Sequence, residues 1–157
     1  MRHTISVLVE NKFGVLARIA GLFSARGYNI ASLAVSETLD PTISYMTIVV
    51  DAQDEKILEQ INKQLNKLID VITVTDFTKK DHLDRELVLV KVGCSVKDRQ
   101  ELESLFNKFV GKIIQTKDNT AIIEAVGDQV QIKTLLEVLE KFGVKELVRT
   151  GKLVIRN

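Results

Sequence analysis

The first half of the chain changes its hydrophobic period several times. Apolar residues fall at every second position between residues 4 and 10, which is typical of a half-buried strand. From Val15 they recur at three- and four-residue steps, as on one face of a helix, and Gly27 provides a left-handed stop. The following patterns predict strands at residues 28–39 and 43–51, a helix at 57–68 and a strand at 71–77.

The same order of elements recurs beyond a polar stretch at residues 79–85, which we interpret as a linker. The second half predicts strands at residues 87–92, 112–116, 120–126 and 144–149. One predicted helix carries apolar residues from Leu102 to Phe109 and ends at Gly111, and the other begins after Asp128 as its N-cap. We therefore expect two domains, at residues 1–78 and 86–157.

An order of β-α-β-β-α-β whose helices cover one sheet face predicts a ferredoxin-like sandwich. The fold class is thus α+β, with two such units, each with four antiparallel strands in the order 4-1-3-2. The second strand of the first unit lies at an edge and carries Ile30, Leu33 and Val35. An open apolar edge favours pairing with another strand, so we expect the first domain to form a homodimer about a two-fold axis.

The composition is that of an ordinary soluble protein. Of the 157 residues 45% are hydrophobic and 27% are charged, and 22 Lys and Arg against 21 Asp and Glu leave a net charge of +1. No global basic field draws the chain to nucleic acid or to anionic lipid. The apolar runs are far shorter than the roughly 18–20 residues that cross a bilayer, so we expect a cytoplasmic protein without a membrane segment.

The chain has few residues that could act as a nucleophile, a general base or a metal ligand. Cys94 is its one cysteine, which excludes an internal disulfide and a metal site built from several thiolates of one chain. The two histidines, His3 at the start and His82 in the predicted linker, have no telling spacing to it. We expect no catalytic residue, no metal site and no cofactor in this chain.

The turn between the first strand and the first helix is the best candidate site. Gly14 has no Cβ, so that a ligand or another backbone can approach closely. The N–H groups of Gly14, Val15 and Leu16 begin the helix at the positive end of its dipole, where a carboxylate binds well. Asn11 adds a side-chain amide, and Val15 and Leu16 offer apolar surface. Asn11 and Gly14 equally fit a simple tight turn.

The predicted dimer adds a second half to this site. If two chains pair their second strands about a two-fold axis, Asn29 and Ile30 of one chain approach Asn11 and Gly14 of the other. A small zwitterion could then place its carboxylate on the helix start and its ammonium on the Asn29 oxygen. Such a ligand binds the dimer better than the monomer.

Several segments resemble known proteins. The segment ISVLVENKFGVLARIAGLF at residues 5–23 resembles the ACT domain, an amino-acid-sensing ferredoxin-like module. More narrowly, RGYNIASL at residues 26–33, Asp40-Pro41, Met46-Thr47 and RELVLVKV at residues 85–92 resemble the regulatory (small) subunits of acetohydroxyacid synthase, also called acetolactate synthase. The resemblance spans nearly the whole chain and is most specific in the first half.

This resemblance implies a non-catalytic protein of branched-chain amino acid (valine and isoleucine) biosynthesis. It would bind and activate the catalytic large subunit, in which thiamine diphosphate, Mg and FAD are expected, and would confer feedback inhibition by valine. The family's effector positions map onto six residues of this chain: Asn11, Gly14, Val15, Leu16, Asn29 and Ile30. One departure is Tyr45, where the family usually has an arginine.

Three other functions remain open from the residues alone. An ACT-type amino-acid sensor could act on a different partner. An RNA-binding ferredoxin-like module would stack bases on aromatic residues of its central strands, but the near-neutral charge and the few aromatic residues argue against it. A stand-alone enzyme would need Cys94 as its nucleophile, and no base lies at a telling spacing.

Overall fold

The structure is a computed structural model that describes residues 2–51 and 55–157. It divides into two compact units, unit 1 (Met1–Leu83 with Val154–Asn157) and unit 2 (Asp84–Leu153). The first six elements are β1 (Arg2–Glu10), α1 (Val15–Ser24), β2 (Asn29–Glu37), β3 (Ile43–Asp51), α2 (Glu55–Leu65) and β4 (Val71–Asp76). The others are β5 (His82–Gly93), α3 (Arg99–Leu105), β6 (Gly111–Lys117), β7 (Thr120–Gly127), α4 (Gln129–Leu139), β8 (Val144–Arg149) and β9 (Leu153–Arg156).

Unit 1 contains an antiparallel sheet in the order β2-β3-β1-β4. Alternate residues of β1 and β3 face α1 and α2, so the alternation in the sequence becomes one buried layer between the sheet and the helices. Its buried members are Ile5, Val7, Val9, Val15, Ile19, Phe23, Met46, Ile48, Val50, Leu58, Ile61 and Leu65. The predicted ferredoxin-like topology is confirmed here.

Unit 2 repeats this arrangement with the strand order β6-β7-β5-β8. Its core lies between these strands and the helices α3 and α4 and includes Val88, Val90, Val92, Leu102, Ile123, Ile132, Leu135 and Leu139. Asp128 caps α4 as predicted, because its side chain accepts a hydrogen bond from the Gln131 N–H while the Gln131 side chain accepts one from the Asp128 N–H.

The first helix of unit 2 is shorter than its apolar spacing predicts. It ends at Leu105, and the next N–H groups bond three residues back, as in Phe106 N–H to the Glu103 oxygen at 3.2 Å. We expected Gly111 to end this helix, but it begins β6 instead. A Cβ on Gly111 would lie 2.6 Å from the Glu124 carbonyl oxygen, so glycine is needed for the close approach of β6 to β7.

Two features of the chain's later part differ from expectation. β5 begins at His82, inside the segment at residues 79–85 that was interpreted as a linker. The last strand, β9, was not predicted. Val154 is buried, and the Tyr45 hydroxyl on β3 donates to its carbonyl oxygen at 3.1 Å, so the C-terminal residues pack within unit 1.

Candidate functional site

The turn between β1 and α1 depends on the backbone of Gly14. Gly14 is the N-cap of α1 with φ of 81°, in the left-handed region, and its carbonyl accepts the Arg18 N–H at 3.0 Å. A Cβ on Gly14 would lie 3.2 Å from Arg18 Nη1. Both observations explain why the strand-to-helix turn uses glycine at this position.

Two N–H groups of this turn remain as donors for a ligand. The Val15 N–H is taken, because it donates to the Lys12 carbonyl at 3.3 Å, so the expectation of three unpaired donors is wrong. Within the described part of the chain, the N–H groups of Gly14 and Leu16 have no acceptor. The first turn of α1 has no acidic residue, so the positive end of its dipole is not neutralised there.

The side chains of the predicted turn residues have different environments. Val15 is buried in the core of unit 1, so it does not provide the apolar surface that was predicted for it at the turn. Leu16 is exposed and keeps the predicted apolar surface. The Asn11 amide donates to the Pro41 carbonyl at 2.9 Å, which leaves its second N–H for a ligand.

An ion pair beside the turn was missed by sequence reasoning. Arg18 donates from Nε and Nη2 to Asp70 Oδ2, at 3.0 and 2.6 Å, and Asp70 is buried. The Asp70 carbonyl also accepts the Glu10 N–H at 2.9 Å, so this residue joins the end of β1 to the start of α1. The two partners lie far apart in sequence, and no spacing rule links them.

A second ion pair lies at the same turn. Lys12 Nζ lies 2.6 Å from Glu10 Oε2. The hydrogen bond with Glu10, and then the negative charge of Glu10, raise the pKa of Lys12 above its usual value. Because Glu10 is its partner, Lys12 adds no net charge next to Gly14.

Asn29 and Ile30 lie at the opposite end of the same sheet. Asn29 pairs with Asp51 across β2 and β3, and Asp51 pairs with Arg2 at the start of β1. The nine residues of β1 then separate Asn29 from the Gly14 turn, a distance of about 30 Å at strand rise. One chain does not bring the two predicted halves of the site together.

The surroundings of Asn29 contain a carboxylate that the sequence reading did not single out. Asn29 Nδ2 donates to Asp51 Oδ2 at 3.0 Å, which leaves the Asn29 side-chain oxygen as an acceptor. Arg2 Nε lies 3.5 Å from Asp51 Oδ1. The group therefore offers a cation an amide oxygen, next to a carboxylate whose charge Arg2 offsets in part.

β2 is an edge strand of this sheet. It pairs with β3 on one side only among the described strands. Leu33 and Val35 share the sheet face that carries the helices, since they pair with Ile48 and Met46, yet both are exposed. The strand thus presents unpaired backbone and apolar side chains together.

The two histidines and the cysteine lie in separate surroundings. His3 is buried in β1 rather than frayed, with its Nδ1 3.3 Å from the Thr78 hydroxyl, and Cys94 is buried. His82 Nδ1 lies 2.7 Å from the Lys80 carbonyl oxygen. Over residues 2–51 and 55–157, no three His, Cys, Asp or Glu side chains are grouped to hold a metal ion.

The helices of both units are short. None of those described is long and apolar enough to span a membrane.

Comparisons with known proteins agree with the resemblance. Residues 5–73 match the family model described as an AHAS small subunit-like ACT domain, and residues 85–157 match that of the small subunit of acetolactate synthase. A probable acetolactate synthase small subunit of Archaeoglobus fulgidus is 46% identical over 155 residues, which cover 99% of this chain and 96% of that protein. The acetolactate synthase small subunit of Aquifex aeolicus is 44% identical over 156 residues, covering 99% and 81%.

A solved structure is similar over the whole chain. The crystal structure of the acetolactate synthase small subunit from Thermotoga maritima has a TM-score of 0.88 and 37% sequence identity, and it covers 100% of this chain and 98% of that one. These matches confirm the predicted family and the prediction of a regulatory rather than a catalytic chain. The chain belongs to the family of acetolactate synthase small subunits, with an ACT domain in its first half.

Proposed function

We propose that this chain binds the catalytic large subunit of acetolactate synthase, activates it and confers inhibition by valine. Valine would bind at two equivalent sites in a homodimer formed by unit 1. Each site would combine the Gly14 turn of one protomer with Asn29 and Ile30 of the other. The family indicates the large subunit as the partner. We also propose that both proteins are cytoplasmic.

The observation that carries this proposal is the pair of N–H groups at Gly14 and Leu16. They lie at the start of a ten-residue helix whose first turn has no acidic residue. Backbone donors at a helix N-terminus bind a carboxylate without a dedicated cation. The second N–H of the Asn11 side-chain amide can donate to the same carboxylate, and the exposed Leu16 side chain can contact an isopropyl group.

The ammonium group of valine requires the second protomer. Asn29 and Asp51 provide an amide oxygen and a carboxylate, but they lie about 30 Å from the turn of their own chain at strand rise. Pairing of two β2 edges about a two-fold axis moves Asn29 of one chain towards Gly14 of the other. The exposed Leu33 and Val35 on the β2 edge support that contact.

Valine would regulate the enzyme by favouring one arrangement of the dimer. A ligand shared by two protomers binds their paired state more tightly than it binds one protomer. Coupling of this kind usually amounts to about 1–3 kcal/mol, or roughly 5- to 150-fold in affinity. A methylene group changes binding in an apolar pocket by only about 1–3 kcal/mol, so leucine and isoleucine would bind more weakly rather than not at all.

The sheet face of unit 1 opposite α1 and α2 favours this role over RNA binding. A ferredoxin-like RNA-binding module stacks bases on aromatic side chains of the central strands. Here Tyr45 on β3 holds the C-terminal residues by its hydroxyl, and Phe77 beyond β4 is buried. Neither ring is available for a base in this arrangement.

Calorimetry and an activity assay test the proposal together. Valine is titrated into the purified chain, and acetolactate formation by the cognate catalytic subunit is measured with and without the chain and valine. Gly14→Asp places a carboxylate beside the proposed ligand carboxylate, so valine binding and inhibition should be lost while activation survives. Gly143→Asp is the matched control, because Gly143 also has a positive φ but lies in unit 2.

Three results would overturn parts of the proposal. Unchanged valine affinity in Gly14→Asp would remove the site. A monomeric chain in sedimentation, with or without valine, would remove the shared site. Absence of any rise in acetolactate formation would contradict the regulatory role and favour an amino-acid sensor with a different partner.

A further inference from the structure

Three loops meet at the end of unit 1 where β1 ends. They are the β1–α1 loop, the β2–β3 hairpin and the α2–β4 loop, and we call them together the loop end. The Asn11 N–H donates to the Thr42 carbonyl at 2.7 Å, which joins the first loop to the hairpin. The Glu10 N–H donates to the Asp70 carbonyl at 2.9 Å, which joins β1 to the third loop.

Each of these loops carries a large apolar side chain that is fully exposed. Phe13 is 102% exposed, Leu39 106% and Ile69 95%. Among the described large apolar residues, Val96 in unit 2 is the one other that exceeds nine-tenths, at 91%. A single exposed apolar residue is ordinary, but three such residues at one end of one unit indicate an interaction surface.

The loops that carry these side chains are held in place. The Asn11 side chain donates to Pro41 at 2.9 Å, and the Asp40 carboxylate accepts from the Thr42 N–H and hydroxyl at 2.9 and 2.6 Å. Arg18 donates twice to Asp70. A surface whose backbone is already ordered loses less conformational entropy when a partner binds.

The charges that support the loop end are neutralised by each other. Lys12 pairs with Glu10, and Arg18 pairs with Asp70. The exposed Asp40 and Lys67 of the same loops are opposite in charge, so the three apolar side chains stand on a surface without an excess of either charge. A partner that fits this surface presents apolar pockets rather than a strongly charged face.

We propose that the loop end of unit 1, through Phe13, Leu39 and Ile69, docks the catalytic subunit of acetolactate synthase. Membership of the small-subunit family supplies this partner, whereas a second copy of the chain has the open β2 edge available. Phe13 is adjacent to Gly14, so the docking surface is continuous with the proposed valine site. The docking rests on the proposed binding of the catalytic subunit, and the regulatory link rests on the proposed valine site.

The test uses a triple variant of the full chain, Phe13→Ser with Leu39→Ser and Ile69→Ser. Affinity for the cognate catalytic subunit is measured by calorimetry or surface plasmon resonance, and we expect it to fall at least tenfold. Val96→Ser is the matched control, since Val96 is equally exposed but lies in unit 2, and it should bind as the unchanged chain does. Circular dichroism checks folding, and Phe13→Ser alone replaces the triple variant if folding is lost.

Separate measurements distinguish the catalytic subunit from a second copy of the chain as the partner that binds the loop end. Catalytic-subunit binding of the triple variant within twofold of the unchanged chain would overturn the proposal. Loss of self-association in sedimentation, with catalytic-subunit binding retained, would also overturn it and assign the surface to a second copy. If the unchanged chain does not bind valine, the proposed valine site fails. If the triple variant nevertheless loses the catalytic subunit while the unchanged chain and Val96→Ser bind it, the docking surface stands.

Discussion

The Tyr45 hydroxyl donates a hydrogen bond of 3.1 Å to the carbonyl oxygen of Val154, which lies 109 residues further along the chain. Tyr45 stands on β3, on the sheet face opposite α1 and α2. Val154 is buried, and Arg156 Nη2 also donates to the Thr75 hydroxyl on β4, at 3.0 Å. The Tyr45 side chain therefore has a structural role, because it helps to attach the C-terminal residues to unit 1.

The first prediction concerns this attachment. Tyr45→Phe should lower the free energy of unfolding by about 1 kcal/mol, the usual net value of one hydrogen bond. Tyr28→Phe is the control, because Tyr28 is also partly buried but its hydroxyl has no partner among the described residues. Denaturant unfolding followed by circular dichroism measures both variants. Equal stability of the two would mean that the Tyr45 bond contributes nothing.

A second prediction removes the strand itself. Deletion of residues 154–157 takes away the buried Val154 side chain and the Arg156 hydrogen bond to Thr75. Because these residues contact Tyr45 on β3 and Thr75 on β4, amide hydrogen exchange should accelerate in those two strands. Exchange in α4 of unit 2 should stay unchanged. Faster exchange in α4 alone would contradict the assignment of the last residues to unit 1.

The sequence predicted the repeated topology because period and turn residues agree in both halves. β3 and β8 have the bounds expected from their alternation, and the Lys117-Asp118-Asn119 turn has the positive φ values, 49° and 57°, of Asp118 and Asn119. β9 could not be predicted in this way. It has four residues, too few for a period, and it is held by pairing with β5 and by hydrogen bonds to Tyr45 and Thr75, all in distant parts of the chain.

The candidate site was predicted only as far as local chemistry reaches. The conformation of Gly14 follows from the residue type and the change of period around it. The bond that occupies the Val15 N–H, the burial of Val15 and the Arg18–Asp70 pair all depend on how β1, α1 and the α2–β4 loop pack together. Such contacts between distant residues carry no signal in the pattern of one sequence.

A third prediction compares two glycines of unit 1. Gly14 and Gly27 both have positive φ, 81° and 69°, so alanine at either should cost about 1–2 kcal/mol of stability. A Cβ at Gly14 also meets Arg18 Nη1 at 3.2 Å, whereas one at Gly27 meets nothing within 4 Å. Thermal unfolding should therefore show Gly14→Ala as the less stable variant. The opposite order would mean that Arg18 moves aside freely.

A fourth prediction concerns the ion pair of unit 2. Arg149 donates to both carboxylate oxygens of the buried Glu86, each at 2.7 Å, while Arg149 itself is partly exposed. This hydrogen bonding raises the pKa of Arg149 above its usual value. Arg149→Met leaves a buried carboxylate without its cation and should lower the stability, by less than the roughly 3–5 kcal/mol of a fully buried pair because Arg149 is partly exposed.

The two partners of this pair should respond unequally. Glu86→Gln leaves an arginine that can turn to solvent, so it should be milder than Arg149→Met when both are measured by denaturant unfolding. The double variant should recover part of the loss, because no buried charge remains. Equal losses in the two single variants would show that Glu86 also reaches solvent once its partner is gone.

The last prediction follows the pH response of the β2–β3 hairpin. The Thr42 hydroxyl and the Thr42 N–H both donate to the Asp40 carboxylate. The hydroxyl bond, and to a smaller extent the N–H bond, hold the pKa of Asp40 below its usual value of 3.8. A carboxyl group with a lowered pKa in the folded state stabilises the hairpin above pH 3.8 and loses this effect as the pH falls through its folded pKa. NMR titration of the Asp40 carboxyl signal should therefore give a midpoint below 3.8. Thr42→Val removes the hydroxyl donor and should move this midpoint upwards, while the pKa of Asp98, which Ser95 lowers by the same kind of bonds, should not change. A midpoint that does not move in Thr42→Val would show that the hydroxyl does not hold the hairpin, and hence Leu39, in the arrangement described.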